Sequence, residues 1–400
     1  MALRAYLDNA STTRVLPEAA AAALAAMGAG PDGPADGAYA NPSSVHRWGV
    51  AAAAAMDGAR RAVAALLGAA PAEIVFTSGG TEGNHLAVLG AARAARRRGR
   101  HIVTTAIEHR SILNAVAALE QEGWEVTRLG VGSDGRVSPE AVLAAVRPDT
   151  ALCAVGHVNN EIGSVQPVAR IAEGLGRAGV PLHVDGVQAL GKVPTPYTAW
   201  GVRFAALSAH KIGGPKGAGA LFVARGARIV PPVAGEQESG LRPGTENVPG
   251  IAAFGAAARA AAGDDGRLRR LKLRLVEGLR AALPGLEVNG PDPADAEASA
   301  PHIVHLSFAR AAPGIPAEVL LHAFEAEGVA CSAGSACTAR RPEPSHVLAA
   351  LGLPAPRLRG SLRFSLGPST QAGEIEYAVA ALPAAVARLR AETAGSALGR

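Results

Sequence analysis

Residues 181–188 have the sequence Pro181-Leu182-His183-Val184-Asp185-Gly186-Val187-Gln188, in which a mainly apolar run of strand length ends at the carboxylate of Asp185. A second such run, Phe204 to Leu207, leads into Ser208-Ala209-His210-Lys211. Outward from these two, apolar runs alternate with helical stretches from about residue 60 to 225, at Ile74 to Phe76, His101 to Val103, Val126 to Leu129 and Ala151 to Val155. Strands that alternate with helices predict an α/β fold, with a mainly parallel sheet covered by helices.

Composition limits the classes of protein to consider. Of 400 residues, 48% are hydrophobic and 18% charged, a balance typical of a globular protein. The formal net charge of +5 is small for this length, so we expect no direct nucleic-acid partner. No apolar run is long enough to span a membrane and the start carries no secretory signal, which predicts a cytoplasmic protein without a membrane partner. The three cysteines form no CxxC pair, so no metal site is expected.

A domain boundary is predicted at Gly263-Asp264-Asp265-Gly266, which precedes a helical stretch from Leu268 to about Leu283. Beyond it, strand-like runs at His302 to Phe308 and Ser361 to Leu366 indicate an α+β unit. We therefore assign residues 14–262 to a large domain. Residues 1–13 and 263–400 are assigned to a smaller domain.

Three features of the predicted large domain point to one cofactor. The segment Thr77 to Asn84 follows a predicted strand and begins a helix, and its glycines and hydroxyl groups suit a phosphate. The same residues are also typical of an ordinary helix cap. Asp185 ends a strand where open α/β sheets bind ligands, but it could also be only a cap. Lys211 leaves a buried strand, where a desolvated amine becomes nucleophilic, although an isolated lysine is usually at the surface. Together they supply what pyridoxal phosphate requires: a phosphate site, a carboxylate for the ring nitrogen and a lysine amine for the aldehyde.

The chain resembles the cysteine desulfurases similar to NifS and IscS, within the class V aminotransferase family of pyridoxal-phosphate enzymes. The resemblance extends over nearly the full length and rests on ordered motifs: Tyr6 to Ala10, Asn41 to Ser44, Thr77 to Asn84, Glu108-His109, His157 to Gly163, Asp185 to Gln188, Ser208 to Gly217, Gln237 to Asn247 and Ser335-Ala336-Cys337. It implies fold type I, with a seven-stranded, mainly parallel sheet, helices on both faces and a smaller α+β domain.

The resemblance also assigns roles around the cofactor ring. It implies that Lys211 binds the cofactor covalently and that Asp185 pairs with the pyridine nitrogen. Gln188 is implied to bond the ring hydroxyl, while His109 stacks on the ring and carries protons. Together these assignments define one end of a cofactor site.

Further assignments concern the phosphate and the substrate. The resemblance implies that Thr245 reaches the cofactor phosphate from the second subunit of a homodimer. It implies that Asn160, also near the cofactor, and Arg363 hold the substrate carboxylate, which suits a guanidinium fork. The remaining phosphate contacts are assigned to Gly80, Thr81, Ser208 and His210.

Cys337 indicates the reaction, because Cys331 to Thr338 is a run of small residues that presents a thiol, which a transaminase does not need. The expected course converts L-cysteine to L-alanine and leaves a persulfide on Cys337, which passes to a sulfur acceptor or scaffold protein for iron–sulfur cluster assembly or thio-modification. Cys153 lies in an apolar run and is expected to pack in the core. Cys331 could be inert, a second sulfur carrier or a partner of Cys337 in an oxidised state. Alternatives are a selenocysteine lyase, another class V aminotransferase, or a non-catalytic protein that keeps the fold as a docking surface.

Overall fold

The structure is a computed structural model and describes residues 2–29, 38–261, 266–334 and 345–398. Its main feature is a seven-stranded sheet in the order β2-β8-β7-β6-β5-β3-β4, beside a three-stranded and a two-stranded sheet. The strands are β1 Ala5–Tyr6, β2 Ile74–Thr77, β3 His101–Thr105, β4 Glu125–Leu129, β5 Thr150–Gly156, β6 Leu182–Asp185, β7 Phe204–Ser208, β8 Gly219–Val223, β9 Glu287–Asn289, β10 Ile303–Ser307, β11 Val329–Ala330 and β12 Ser361–Ser365.

The α-helices connect and cover these strands. They are α1 Pro17–Ala26, α2 Arg47–Leu67, α3 Gly80–Ala95, α4 Arg110–Gln121, α5 Pro139–Ala144, α6 Val168–Arg177, α7 Val248–Ala261, α8 Arg267–Ala282, α9 Ala317–Ala326, α10 His346–Ala350, α11 Ala355–Arg359 and α12 Ala372–Leu398. Among the described residues, none of these helices combines the length and the apolar character needed to cross a membrane.

Alternate residues of the large sheet face two separate cores, which confirms that helices cover both faces. Val103 packs in the core formed with α1, α2, α6 and α7. Its neighbour Ile102 packs in the core formed with α3 and α4. The same switch occurs in β7, where Leu207 and Phe204 belong to opposite cores. Because successive side chains of a strand point to opposite faces, one apolar run supplies both layers.

The expected strands of the large sheet are present, and β8 is an addition to them. It pairs antiparallel with both β7 and β2, whereas the other pairs of this sheet are parallel. An antiparallel return needs only a short loop, whereas a parallel return needs a crossover helix. The short loop between β7 and β8 contains Gly213 and Gly217, both with positive φ, and it immediately follows Lys211.

The N-terminal segment pairs with the C-terminal part of the chain. Strand β1 is parallel to β11, and Asp8 bridges to Ser365 at the end of β12. Strand β10 lies between β9 and β12 in an antiparallel sheet, over a core that includes Phe308 and Phe324. Residues 263–265 of the expected domain boundary lie outside the described residues, so the division into domains stays a prediction.

Candidate active site

A cavity of about 250 Å³ lies where the carboxyl ends of the central strands meet the N-terminal end of α3. Open α/β sheets place their ligand sites at this edge. The N-terminal segment contributes Ala10 and Ser11 to the wall, and β12 contributes Arg363. The predicted site residues that line the cavity are Gly80, Thr81, His109, Asn160, Asp185, Gln188, Ser208, His210, Lys211 and Arg363.

Lys211 ends a single turn of 3₁₀ helix directly after β7 and extends its amine into the cavity. Its Nζ donates to the carbonyl oxygens of Ala10 at 2.6 Å and Ser11 at 2.7 Å. Both of these acceptors are neutral backbone carbonyl groups of the N-terminal segment. The alternative of an ordinary surface lysine does not fit this placement.

Asp185 ends β6 and is 8% exposed. Its Oδ1 accepts from the backbone N–H of Val187 at 3.0 Å, which is the capping role left open by the sequence. Its Oδ2 accepts from Asn84 Nδ2 at 2.8 Å. The carboxylate is therefore both fixed by the turn and presented to the cavity, because a carboxylate has acceptor sites beyond these two.

Asn84 organises this side of the cavity. Its Oδ1 lies 2.8 Å from His183 Nε2, and its Nδ2 also donates to Ser111 Oγ at 2.8 Å. Burial lowers the pKa of His183 to about 3, so His183 is neutral and carries its proton on Nε2. The amide is thus held from behind while it holds Asp185 and Ser111 in front.

The protonation of His109 follows from its position as the N-cap of α4. The backbone N–H of Ser111 can only donate, and it lies 3.1 Å from His109 Nδ1, so Nδ1 accepts. Burial lowers the pKa of His109. The neutral imidazole therefore carries its proton on Nε2.

Glu108 is a buried acid in the cavity wall that the sequence analysis did not place in the site. It is 3% exposed, and it accepts from Thr105 Oγ1 at 2.6 Å and from Gly156 N at 2.7 Å. Burial, with a smaller contribution from the nearby Asp185 carboxylate, raises the pKa of Glu108 to about 8. A protonated acid therefore adjoins His109 at neutral pH.

The opposite end of the cavity offers neutral donors. Helix α3 begins at Gly80, and no side chain caps its first turn. Within the described part of the chain, the buried Ser208 Oγ has no hydrogen-bond partner. Burial, reinforced by Lys211 and other lysines, lowers the pKa of His210 to about 4, so His210 is neutral. A helix N-terminus with adjoining hydroxyl and imidazole groups suits an anion such as phosphate.

Gly80 is required here by close packing. A Cβ at this position would lie 2.4 Å from Cγ2 of Val187, in the turn after Asp185. The two turns approach closely because residue 80 has no side chain.

Gln188 is fixed in one orientation. Its Nε2 donates to the Ala10 carbonyl at 2.8 Å, which leaves Oε1 as the atom 3.2 Å from Nε2 of the buried His302. Burial and nearby cationic side chains lower the pKa of His302 well below its usual value, so a neutral imidazole donates to Oε1. His302 was not predicted, and a single histidine at a strand start gives no sequence signal for this contact.

Arg363 is 1% exposed and joins three parts of the chain. Its Nη1 donates to the backbone carbonyl of Asn160 at 2.8 Å. Its Nη2 donates to Asp8 Oδ1 at 2.7 Å and to Ser11 Oγ at 2.7 Å. The structure thus brings Asn160 and Arg363 together, and it adds two polar residues that the sequence analysis had not singled out.

One predicted residue does not line the cavity, and another lies outside the described residues. Thr245 is exposed and is not among the described residues that line the cavity. Cys337 lies outside the described residues. Cys153 is buried in β5 and burial raises the pKa of its thiol, which agrees with a packing role. Cys331 is half-buried, burial also raises its thiol pKa, and its role stays open.

Of the residues that sequence reasoning missed, two had a usable signal. Asn84 ends the segment that was quoted as a phosphate site, and Ser111 follows His109 by two positions. Asp8 and Ser11 lie in or beside a quoted motif, but their contact with Arg363 joins residues 355 and 352 positions apart. Pairings of such separation cannot be read from local pattern.

Known proteins are similar to this chain in sequence and in fold. The sequence profile of the family described as aminotransferase class-V matches residues 5–378. Cysteine desulfurase 2 of Trichormus variabilis is 43% identical over 390 residues, which cover 96% of this chain and 94% of that protein. A solved structure described as a NifS-like protein has a TM-score of 0.86 at 31% identity, and the match covers 97% of this chain and 100% of the other.

A second solved structure carries a ligand in its description. It is SspA in complex with cysteine, with a TM-score of 0.79 and 32% identity over 92% of this chain and 100% of the other. The extent of these matches confirms the expected family and fold type. The chain therefore belongs to the class V aminotransferase family and, within it, to the cysteine desulfurases similar to NifS and IscS.

Proposed function

We propose that the protein is a pyridoxal-phosphate-dependent cysteine desulfurase that converts L-cysteine to L-alanine and receives the sulfur on Cys337. The observation that carries the proposal is that the Lys211 amine, the Asp185 carboxylate and the Arg363 guanidinium line one cavity. The relatives described as cysteine desulfurase and the related structure with cysteine support the choice of substrate.

The residues present fit the cofactor. The phosphate would be held by the start of α3, by neutral His210 and by Ser208 Oγ, which has no hydrogen-bond partner in the described part of the chain. All of these groups can donate to an anion. Asp185 would hold the ring nitrogen and Lys211 the aldehyde carbon. Bound there, pyridoxal phosphate supplies an electron sink for the charge that develops at the substrate Cα.

The chain's own groups then bind the substrate and move protons. Arg363, with Asn160 beside it, would hold the substrate carboxylate, as suits a guanidinium fork. Lys211 Nζ, which donates to the carbonyl groups of Ala10 and Ser11 in this structure, would take the Cα proton. His109 Nε2–H is the next proton source in the cavity wall.

Sulfur transfer balances as an internal redox step, in which the two sulfurs are oxidised and the substrate Cβ is reduced. The Cys337 thiolate attacks the substrate sulfur, so that a sulfur–sulfur bond forms and the Cβ–sulfur bond breaks. The electron pair of the broken bond returns to Cβ, which takes a proton and leaves as part of alanine. The Cys337 persulfide then passes its outer sulfur to an acceptor or scaffold protein, for cluster assembly or thio-modification.

The decisive experiment replaces the thiol. Cys337→Ala should keep the cofactor absorption band and release neither sulfide nor alanine from L-cysteine. Cys153→Ala is the matched control, because it removes a buried thiol from β5 and should leave turnover intact. Normal turnover by Cys337→Ala would contradict the proposal, and selective turnover of selenocysteine would instead favour a selenocysteine lyase.

Three further statements belong to this proposal. We expect a homodimer, with Thr245 near the phosphate of the second subunit, and Thr245→Ala should then weaken cofactor retention. Labelled sulfur from L-cysteine should appear on an acceptor protein only when the enzyme contains Cys337. The cytoplasmic location stays a prediction from the sequence.

A further inference from the structure

The guanidinium of Arg363 already has a carboxylate partner. The Asp8 carboxylate binds Nη2 at 2.7 Å, and the Ser11 hydroxyl binds the same nitrogen at 2.7 Å. These two acceptors use both hydrogens of Nη2. By contrast Nε, which is buried, has no hydrogen-bond partner among the residues described.

This occupancy affects how another carboxylate can bind. A carboxylate binds arginine most strongly through two parallel hydrogen bonds, either to Nε and Nη2 or to Nη1 and Nη2. Both arrangements need Nη2, the nitrogen that Asp8 and Ser11 hold. A substrate carboxylate therefore either accepts a weaker single contact or displaces Asp8.

Asp8 is placed so that it can be displaced. Its side chain is 21% exposed, whereas that of Arg363 is 1% exposed. Its Oδ1 also accepts from Ser11 Oγ at 2.9 Å, so a displaced carboxylate can keep a hydrogen bond and reach water. The arginine is fixed from the other side by the Asn160 carbonyl.

We propose that Asp8 sets the affinity of the substrate site, because its carboxylate competes with that of the amino acid for Nη2 of Arg363. The inference rests on the proposed function, in which Arg363 binds the substrate carboxylate. L-Cysteine and L-alanine carry the same carboxylate, so a stronger Arg363 contact would hold substrate and product alike. Such uniform binding lowers KM without raising kcat, and it slows release of the product.

The test measures binding of L-alanine to the holoenzyme, followed through the cofactor absorption band. Asp8→Asn keeps the shape of the side chain and removes its charge, so L-alanine should bind about tenfold more tightly, as expected when one charge-assisted hydrogen bond no longer competes. L-Alaninamide lacks the carboxylate and should bind with unchanged affinity. Turnover of L-cysteine by Asp8→Asn should show a lower KM without a higher kcat.

Two further variants make the result decisive. Asp149→Asn is the matched control, because Asp149 pairs with Arg147 at 3.0 Å on the surface and should not affect L-alanine. Asp8→Ser also lacks the charge and should tighten L-alanine binding, so it decides the matter if Asp8→Asn folds poorly. A readout independent of turnover is the melting temperature, which L-alanine should raise more in either Asp8 variant than in the wild type.

The outcomes separate this inference from the proposal on which it rests. If the wild type converts L-cysteine but the Asp8 variants bind L-alanine equally or more weakly, Asp8 only supports the structure and the inference is wrong. The same holds if L-alanine and L-alaninamide shift together. If the wild type makes no alanine from L-cysteine, the proposed function is wrong and this inference with it.

Discussion

Lys211 and Lys216 lie in the same loop between β7 and β8, but only Lys211 reaches the cavity. The single helical turn that ends at Lys211 directs its amine toward Ala10 and Ser11, whereas Lys216 is exposed. A third amine, that of Lys192, is buried, and burial followed by Lys211 lowers its pKa to about 7. The local backbone therefore selects which amine meets a ligand.

The first prediction tests which lysine binds the cofactor. Borohydride treatment of the holoenzyme should attach the cofactor to Lys211, and Lys211→Ala should show no attachment by peptide mass spectrometry. Lys216→Ala should be labelled like the wild type. A label on the Lys192 peptide of the wild type would show that the wrong amine had been assigned.

The second prediction concerns Asn84. Asn84→Ala leaves His183 Nε2 without its acceptor and removes the amide that donates to Asp185. A buried polar group left unpaired costs about 1–3 kcal/mol, so the free energy of unfolding in urea should fall by that amount. Asn114→Ala, at an exposed position of α4, should change it by no more than about 0.5 kcal/mol, and equal effects would contradict the role of Asn84.

Helix α3 combines core packing with the proposed phosphate contact. Its buried face, with Leu86, Val88 and Ala91, packs on the sheet, while its uncapped first turn opens into the cavity. Phosphate binding at the start of a helix needs unobstructed backbone N–H groups. In α3 the position of this first turn depends on the close packing of Gly80 against Val187.

The third prediction follows from that packing. Gly80→Ala places a Cβ 2.4 Å from Val187 Cγ2, so the turn must shift and the protein should lose cofactor faster on dialysis. Val187→Ala removes the obstructing methyl groups, so the double variant should recover cofactor retention. If Gly80→Ala retains cofactor like the wild type, the start of α3 does not bind the phosphate as proposed.

Across the molecule, the site forms where the large sheet, the N-terminal segment and β12 meet. Arg363 contacts Asn160, Asp8 and Ser11, so the proposed substrate contact and the packing of these parts depend on the same side chain. Buried histidines occur both beside the large sheet and in the three-stranded sheet. Burial lowers the pKa of His157, which follows β5, to about 4, and that of His305 in β10 to about 3.

The fourth prediction is the acid sensitivity of the whole fold. The folded pKa values of His157, His183 and His305 lie below the ordinary 6.5, so below pH 6.5 the unfolded chain binds more protons than the folded one. The raised pKa of Glu108 acts in the opposite direction, but it offsets only one of these three contributions. The free energy of unfolding should therefore fall as the pH drops from 6.5 toward 4, by about 1.4 kcal/mol per pH unit for each net proton. Urea unfolding at a series of pH values measures this slope.

A variant isolates one contribution. His305→Gln removes one of these protons, so its slope between pH 6.5 and 4 should be shallower than that of the wild type by about one proton. An unchanged slope would mean that His305 is accessible to protonation in the folded protein.

Local pattern was sufficient for the framework of the fold. The apolar runs at Leu182 and Phe204 predicted strands that are present as β6 and β7, because alternating apolar strands and helices admit few arrangements. Strand β8 was not predicted, since a short apolar run after a glycine-rich loop does not reveal its direction. Motif resemblance supplied the family, which the comparisons confirm. It also supplied the polar residues at the strand ends, which line one cavity.

Contacts between residues far apart in the sequence could be identified only from the tertiary structure. Strand-end residues such as Asp185 and Lys211 can be named from sequence, because local hydrophobic pattern fixes where a strand stops. That Asp8 occupies Arg363, or that His302 fixes Gln188, depends on packing between segments far apart in the chain. Buried polar groups are hydrogen-bonded to whichever groups the fold places beside them. The local sequence pattern does not determine which groups those are.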